Sequence, residues 1–335
     1  MDTQKLNAVA EQMVAPGKGI LAADESSSTI EKRLAKIGLP STEDNRRAYR
    51  EMLFTAQQIG EYISGVILYD ETIRQNASDG RSFVSILQGE GVIPGIKVDT
   101  GTEAMADSPQ EKLTKGLDGL PTRLKEYFDL GARFAKWRAV IAIGEGLPSD
   151  ANLEQSAFDL ASYAQHCHAA GLVPIVEPEV LMDGTHTIER CAEVTEKTLT
   201  LVFAALAEEN VSLEGIILKP NMVVPGSESG HKATPQEVAE ATLRVFNKVV
   251  PHEVPGIAFL SGGQSEIEAT ANLNEMNKRG PHPWKLSFSY GRALQDSALK
   301  TWAGKKENVA AAQKVFLKRA QMNSLATKGQ YGGEN

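Results

Sequence analysis

Eight short apolar runs, separated by longer stretches of helical periodicity, constrain the fold of this chain more than any other feature of its sequence. In order they are GILAADE (19–25), SGVILYDET (64–72), VIPGIKVD (92–99), ARFAKWRAVIAIG (132–144), LVPIVEPEVL (172–181), LEGIILKPNM (213–222), GIAFLSGG (256–263) and WKLSFSYGR (284–292). Their hydrophobicity is continuous rather than alternating, which suits parallel strands covered on both faces, with helices as right-handed crossovers. Helices are predicted over 42–59, which opens on STED and carries Leu53, Ala56 and Ile59, and over 152–170, 187–209, 234–248 and 305–325. Eight strand-then-helix units predict an α/β fold, a (β/α)8 TIM barrel with an extra N-terminal helix and a C-terminal helix plus short tail. A doubly wound sheet has fewer strands and a glycine-rich first turn, whereas the glycines of GKGILAADESSS precede the strand.

No fixed-period repeat, low-complexity tract or Pro/Gly-rich linker divides the chain, so the expected layout is a single barrel domain over 1–330 and a small, polar, mobile tail over 331–335. The first residues, MDTQKLNAVAEQMV, read as a polar amphipathic helix containing Asp2 and Glu11 and lack the apolar core of a signal peptide. No run reaches the roughly 18 apolar residues of a membrane span. The formal net charge of -8 repels polyanions, so neither a nucleic-acid partner nor an anionic membrane is expected. Two cysteines, Cys167 and Cys191, fit reduced thiols in a cytoplasmic protein.

Polar groups end the apolar runs. Strand residues two apart share a face, so Lys97 with Asp99, Lys136 with Arg138, and Glu177 with Glu179 form same-face pairs, while Asp24, Lys219, Ser261 and Ser289 close their own runs. In a barrel these ends converge on one mouth, where such folds keep their active sites. Each has an ordinary explanation taken singly: a solvated strand-end lysine, a rim ion pair for EPE, a helix cap for Asp24 before SSST. Convergence on one mouth favours chemistry instead. A lysine amine kept neutral by desolvation, or by neighbouring cations such as Lys136 and Arg138, can attack a carbonyl and form a Schiff base. Lys219 follows an aliphatic stretch and is the candidate, with Glu177, Glu179, Asp24 and Lys136 as proton-transfer groups.

Two small-residue segments read as anion sites. SGGQS (261–265) and SYGR (289–292) follow the seventh and eighth runs and lead into helices, the usual place for a barrel's phosphate site, with Ser261, Gly262, Gly263, Ser289, Gly291 and Arg292 as candidates. Ser26, Thr29, Arg33 and Lys97 form a second cationic and hydroxyl group, although SSST also reads as a helix cap. The six histidines end no run, and His166 and His168 of HCH do not face each other on a helix; no metal site is expected.

The motifs GKGILAADES, GVILYDET, GIKVD, FAKWR, PIVEPE, LKPNM, FLSGGQSE and FSYGRALQ, in this order, resemble class I (Schiff-base) fructose-bisphosphate aldolase over nearly the whole chain. The resemblance implies a lyase without metal or other cofactor. It assigns Lys219 the imine with the keto carbon of fructose 1,6-bisphosphate or dihydroxyacetone phosphate, Glu177 the acid–base work of dehydration beside Lys136, Glu179 support of the charge network, and Asp24 the proton of the C4 hydroxyl. It places the ketose 1-phosphate on Ser261, Gly262, Gly291 and Arg292 and the distal phosphate on Ser26, Thr29 and Lys97, with Arg33 and Arg138 nearby. A cytoplasmic homotetramer in glycolysis and gluconeogenesis is expected on the same ground. The family's terminal tyrosine has no match here, since Tyr331 is followed by Gly-Gly-Glu-Asn, and no role is transferred to it. A transaldolase-like Schiff-base enzyme and a catalytically idle scaffold are the competing expectations.

Overall fold

Leu6, Ala10 and Met13 recur at helical spacing in α1 (Thr3–Met13), and all are buried. The computed structural model describes residues 3–334; Met1, Asp2 and Asn335, and with them part of the expected terminal helix and tail, lie outside the described residues. After α1 come β1 (Gly19–Ala23), α2 (Ser27–Ala35), α3 (Glu43–Phe54), β2 (Ile63–Leu68), α4 (Asp70–Ile73), α5 (Phe83–Gly89) and β3 (Ile93–Lys97). An antiparallel hairpin, β4 (Thr102–Ala104) with β5 (Lys112–Thr114), stands outside the barrel. Next are α6 (Leu120–Asp129), β6 (Phe134–Ile141), α7 (Asp150–Ala169), β7 (Val173–Val180), α8 (Ile188–Glu208) and β8 (Ile217–Leu218). The last are α9 (Pro235–Val249), β9 (Gly256–Phe259), α10 (Glu266–Lys278), β10 (Lys285–Tyr290), α11 (Arg292–Trp302) and α12 (Val309–Ala326).

The eight long-range strands close a parallel barrel in the order β1-β10-β9-β8-β7-β6-β3-β2. Every apolar run supplies one strand, but most strands stop before their run does. Asp70 to Thr72 of the second run fall in α4, and the sixth run is strand only at Ile217 and Leu218, because Leu213–Gly215 close a tight helical turn. The predicted helix over 42–59 ends at Phe54, and Gln58 in the left-handed region (φ 67°) marks the break.

Alternate strand residues face inward, and their sizes decide how the barrel fills. Phe134 of β6 points into the interior, and the space for its ring comes from Gly95 and Gly65: a Cβ at Gly95 would lie 2.2 Å from that ring, and one at Gly65 2.9 Å. Ile20, Ile67, Val173, Ile175, Ile217 and Ala258 pack in the same cluster. α1 seals the N-terminal end: Ser64 Oγ donates to the carbonyl oxygens of Met13 (2.5 Å) and Gly19 (3.0 Å), and Val14 sits where a side chain at Gly256 would otherwise go. With that end plugged and the middle filled, the C-terminal strand ends form the open mouth.

The expected mobile tail is docked over its described part. Tyr331 is buried, its backbone N–H donates to Asn274 Oδ1 (2.8 Å), and its hydroxyl donates to Glu334 (2.7 Å), whose carboxylate pairs with the buried Arg319. Burial of the ring with the main core offsets the freedom that the short segment loses. Both cysteines are free and buried.

Candidate active site

The inward alternation that fills the barrel with Ile and Val below continues upward with polar residues. β1 carries Ala22 and Asp24 follows its last residue, β6 carries Phe134, Lys136 and Arg138, and β7 carries Val173, Ile175, Glu177 and Glu179. Strand register aligns them: Lys136 pairs with Lys97 on β3, and Arg138 with Glu177. Lys219 is the first residue beyond β8, its backbone N–H donating to Val176 O at 2.8 Å, so the strand ladder itself fixes where its side chain begins.

Four ionisable groups from four strand ends meet in a buried chain. Lys136 Nζ donates to Asp24 Oδ2 at 3.0 Å and lies 3.1 Å from Glu177 Oε2, while Lys219 Nζ lies 3.3 Å from Glu177 Oε1. Burial alone would raise the Asp24 carboxyl, but Lys136, Lys219 and Lys97 hold it well below its ordinary value. Burial would lower the Lys136 ammonium, yet Asp24 and Glu177 overcome this and keep it protonated. Lys219 goes the other way. Its burial lowers the amine, Glu177 opposes that, and Lys136 adds to it, leaving the amine below its ordinary value. Two lysines with similar burial thus diverge: Lys136 touches two carboxylates, whereas Lys219 touches one, feels Asp24 only at a distance and faces the Lys136 ammonium.

All the singled-out site residues except Gly263 line one cavity of about 990 Å³ at this mouth. Gly263 instead backs onto Met182, whose sulfur accepts from its N–H at 3.0 Å. Asp24 does not cap a helix; Ser26 occupies the N-cap of α2, and even its side chain makes no cap bond, its Oγ lying 3.1 Å from Thr29 Oγ1. Glu179 and Arg138 do form an ion pair toward the rim, so the ordinary reading of EPE holds for Glu179 and fails for Glu177. Lys97 is held by the Asp99 carboxylate and, at 2.7 Å, by its carbonyl. At the β9 and β10 ends, Ser261 leads to Gly262 in the left-handed region (φ 53°), Arg292 donates to Gly262 O, and Ser289 Oγ is buried without a hydrogen-bond partner among the described residues. Gly291 and Ser265 are the N-caps of α11 and α10, so both segments lead into helix N-termini, and that of α11 lines the mouth.

Behind Arg33 lies a layer that sequence reasoning missed. Glu25 pairs with Arg33 on one oxygen and with Arg50 on the other (3.0 Å), and Gln295 of α11 meets Arg33 and Tyr49. A signal existed in Arg50, a charge set in the buried stripe of Tyr49, Leu53 and Phe54 on α3.

Among the described residues no group of three or more His, Cys, Asp or Glu is arranged to hold a metal, and no helix is long and apolar enough to cross a membrane. His168 is a core histidine whose Nε2 lies 3.1 Å from Gly215 O.

Fold and mouth together define a class: a (β/α)8 barrel with a desolvated lysine set among buried carboxylates, beside glycine–serine loops, at its C-terminal mouth. The family model for fructose-bisphosphate aldolase class-I (Glycolytic) matches residues 5–335. The chain is 54% identical to cytosolic fructose-bisphosphate aldolase 4 of Arabidopsis thaliana over 333 residues, covering 99% of this chain and 85% of that protein. It is 54% identical to a probable class 1 fructose-bisphosphate aldolase of Xanthomonas axonopodis pv. citri, covering 99% and 100%. A solved structure of Plasmodium falciparum fructose-bisphosphate aldolase, in complex with TRAP and a small-molecule inhibitor, superposes with a TM-score of 0.98 at 53% identity, covering 99% of this chain and 96% of that one. The chain belongs to the class-I fructose-bisphosphate aldolase family. It is a lyase whose reaction is the reversible aldol cleavage of fructose 1,6-bisphosphate to dihydroxyacetone phosphate and glyceraldehyde 3-phosphate.

Proposed function

We propose that Lys219 carries this reaction as the Schiff-base nucleophile. The observation that carries the reading is the Lys219 amine itself: buried, lowered below its ordinary value, and 3.3 Å from a carboxylate able to give and take protons. The neutral amine attacks the keto carbon, and Glu177 supplies the proton with which the carbinolamine loses water. Asp24, an anion at working pH, accepts the proton of the C4 hydroxyl as the C3–C4 bond breaks, and the bonding electrons pass into the iminium to give an enamine. Lys136 stays cationic between Asp24 and Glu177 and stabilises negative charge on whichever holds it. Glu179 anchors Arg138.

Ser261, Gly262, Ser289, Gly291 and Arg292 take the ketose 1-phosphate at the two helix N-termini, with Gly263 shaping the turn from behind. Ser26, Thr29 and Lys97 take the distal phosphate, Lys97 exchanging its Asp99 partner for the ligand; Arg138 adds positive charge at the rim. The chemistry needs no metal, because the iminium is the electron sink. We further propose one folded unit acting in the cytoplasm as a homotetramer. The cytosolic Arabidopsis relative supports the place, and exposed Phe128 and Phe158 supply apolar surface for a second copy.

Borohydride reduction in the presence of dihydroxyacetone phosphate tests the reading. Substrate mass on the peptide bearing Lys219, undiminished by a chelator, is the expected result; trapping on another lysine, or full turnover in Lys219→Ala, overturns it.

A further inference from the structure

We propose that Gln295 and Glu25 are positioning residues that clamp one end of the Arg33 guanidinium so that its other end faces the loop of Gly291 and Arg292. The inference rests on the phosphate reading of that loop. Arg33 comes from α2 and reaches across the seam where β1 meets β10. Its Nη1 donates to Gln295 Oε1 at 3.2 Å and pairs with Glu25 Oε1. Its Nη2 lies 3.3 Å from where a Cβ at Gly291 would begin, so the glycine is what lets the guanidinium approach the loop.

Both anchors are themselves fixed from behind. Gln295 is fully buried, one turn beyond Arg292 on α11; its amide nitrogen donates to Ala22 O at 2.6 Å, and its oxygen also accepts from the Tyr49 hydroxyl at 2.8 Å. Glu25 Oε2 accepts from Arg50 Nη2 at 3.0 Å, and Arg50 in turn donates through Nε to Ala23 O at 3.1 Å. A free arginine explores many rotamers, whereas a guanidinium held at one nitrogen by two immobile acceptors presents the other in one direction. Glu25 also keeps Arg33 cationic against its own burial. This geometry makes Arg33 a partner of the Gly291–Arg292 anion site at the neighbouring strand end, whereas the sequence expectation grouped it with Ser26 and Thr29. Since the clamp acts on ligand orientation and not on reacting atoms, its loss raises KM and leaves kcat in place.

Steady-state kinetics with fructose 1,6-bisphosphate, and competitive inhibition by inorganic phosphate, test it. Gln295→Leu is expected to raise KM about tenfold and weaken phosphate inhibition similarly, with kcat within about twofold of the parent. Gln295→Glu keeps an acceptor for Arg33 but loses the donor to Ala22, so it should lower the thermal midpoint while leaving KM near the parent value. In an Arg33→Ala background Gln295→Leu should have no further effect on KM. If Gln295→Leu does not fold, Gln295→Met, closer in shape, carries the same expectation. Unchanged KM in a folded Gln295→Leu or Gln295→Met, or effects that multiply fully in the double variant, overturns the clamp. Unchanged KM in Arg33→Ala alone overturns the phosphate role of Arg33, and the clamp with it.

Discussion

Lys219 Nζ and Glu177 Oε1 stand 3.3 Å apart at the C-terminal ends of neighbouring strands, both side chains about 4% exposed. In the proposed reaction that contact joins the nucleophile to its proton donor in a place water barely reaches, and the carboxylate opposes the lowering that burial imposes on the amine.

The reactivity of Lys219 toward borohydride trapping is expected to persist below the pH at which an ordinary lysine becomes neutral. An amine attacks only when unprotonated, and burial has moved this one below its ordinary 10.5. Trapping rate against pH should therefore fall only as pH drops through the lowered value. A profile that rises only near 10.5 would sink the assignment.

Replacing Lys136 with Met should lower kcat by about 10²- to 10⁴-fold and destabilise the protein by about 3 kcal/mol, because Asp24 and Glu177 would then face each other without a cation. Urea unfolding and single-turnover rates measure the two effects. A variant of full stability would mean that the Lys136 ammonium is not what balances those carboxylates.

Asp24 gives an acid dependence with a definite sign. Its carboxyl sits lower in the folded chain than its ordinary 3.8, so its stabilisation is complete above that value and is lost as pH falls toward the folded value. The stability difference between the parent and Asp24→Asn should accordingly shrink as pH is lowered from 6 to below about 4, read from urea midpoints at each pH. A difference that widens on acidification has the wrong sign.

Arg292→Ala should reduce kcat/KM for fructose 1,6-bisphosphate about 10- to 100-fold, the equivalent of losing about 1.5–3 kcal/mol of charge-assisted hydrogen bonding to phosphate. The same substitution should change thermal stability little, since Arg292 is exposed and among the described residues its side chain bonds only to Gly262 O. Unaltered affinity for inorganic phosphate would count against the site.

Below the chemistry, Gly95→Ala should destabilise the barrel by about 1–3 kcal/mol, because the new Cβ would lie 2.2 Å from the Phe134 ring. Phe134→Leu in the same chain should recover part of that loss. Calorimetric midpoints for the single and double variants check the pair, and a Gly95→Ala protein as stable as its parent would show that the ring has room to shift.

Much of this molecule was legible in one dimension. Eight apolar runs gave eight barrel strands, and the polar residues ending them gave Asp24, Lys136, Glu177 and Lys219, because a period of two puts alternate strand residues on one face whatever the partner strand is. The small-residue segments after the seventh and eighth strands were legible for a similar local reason: glycine and serine before a helix are a property of the segment itself.

Partnership was not legible. The sequence placed four charges at strand ends but gave no means of telling that Lys136 would touch two carboxylates and Lys219 one, a difference that lets the carboxylates outweigh burial at the first and not at the second. Nor did it reveal that Glu25, Arg50 and Gln295 stand behind Arg33, or that Tyr331 docks on α10, since those contacts join segments up to 262 residues apart. Periodicity is a local rule that the backbone enforces residue by residue; which side chains meet across the mouth depends on barrel closure, and closure exists only once all eight strands are in register.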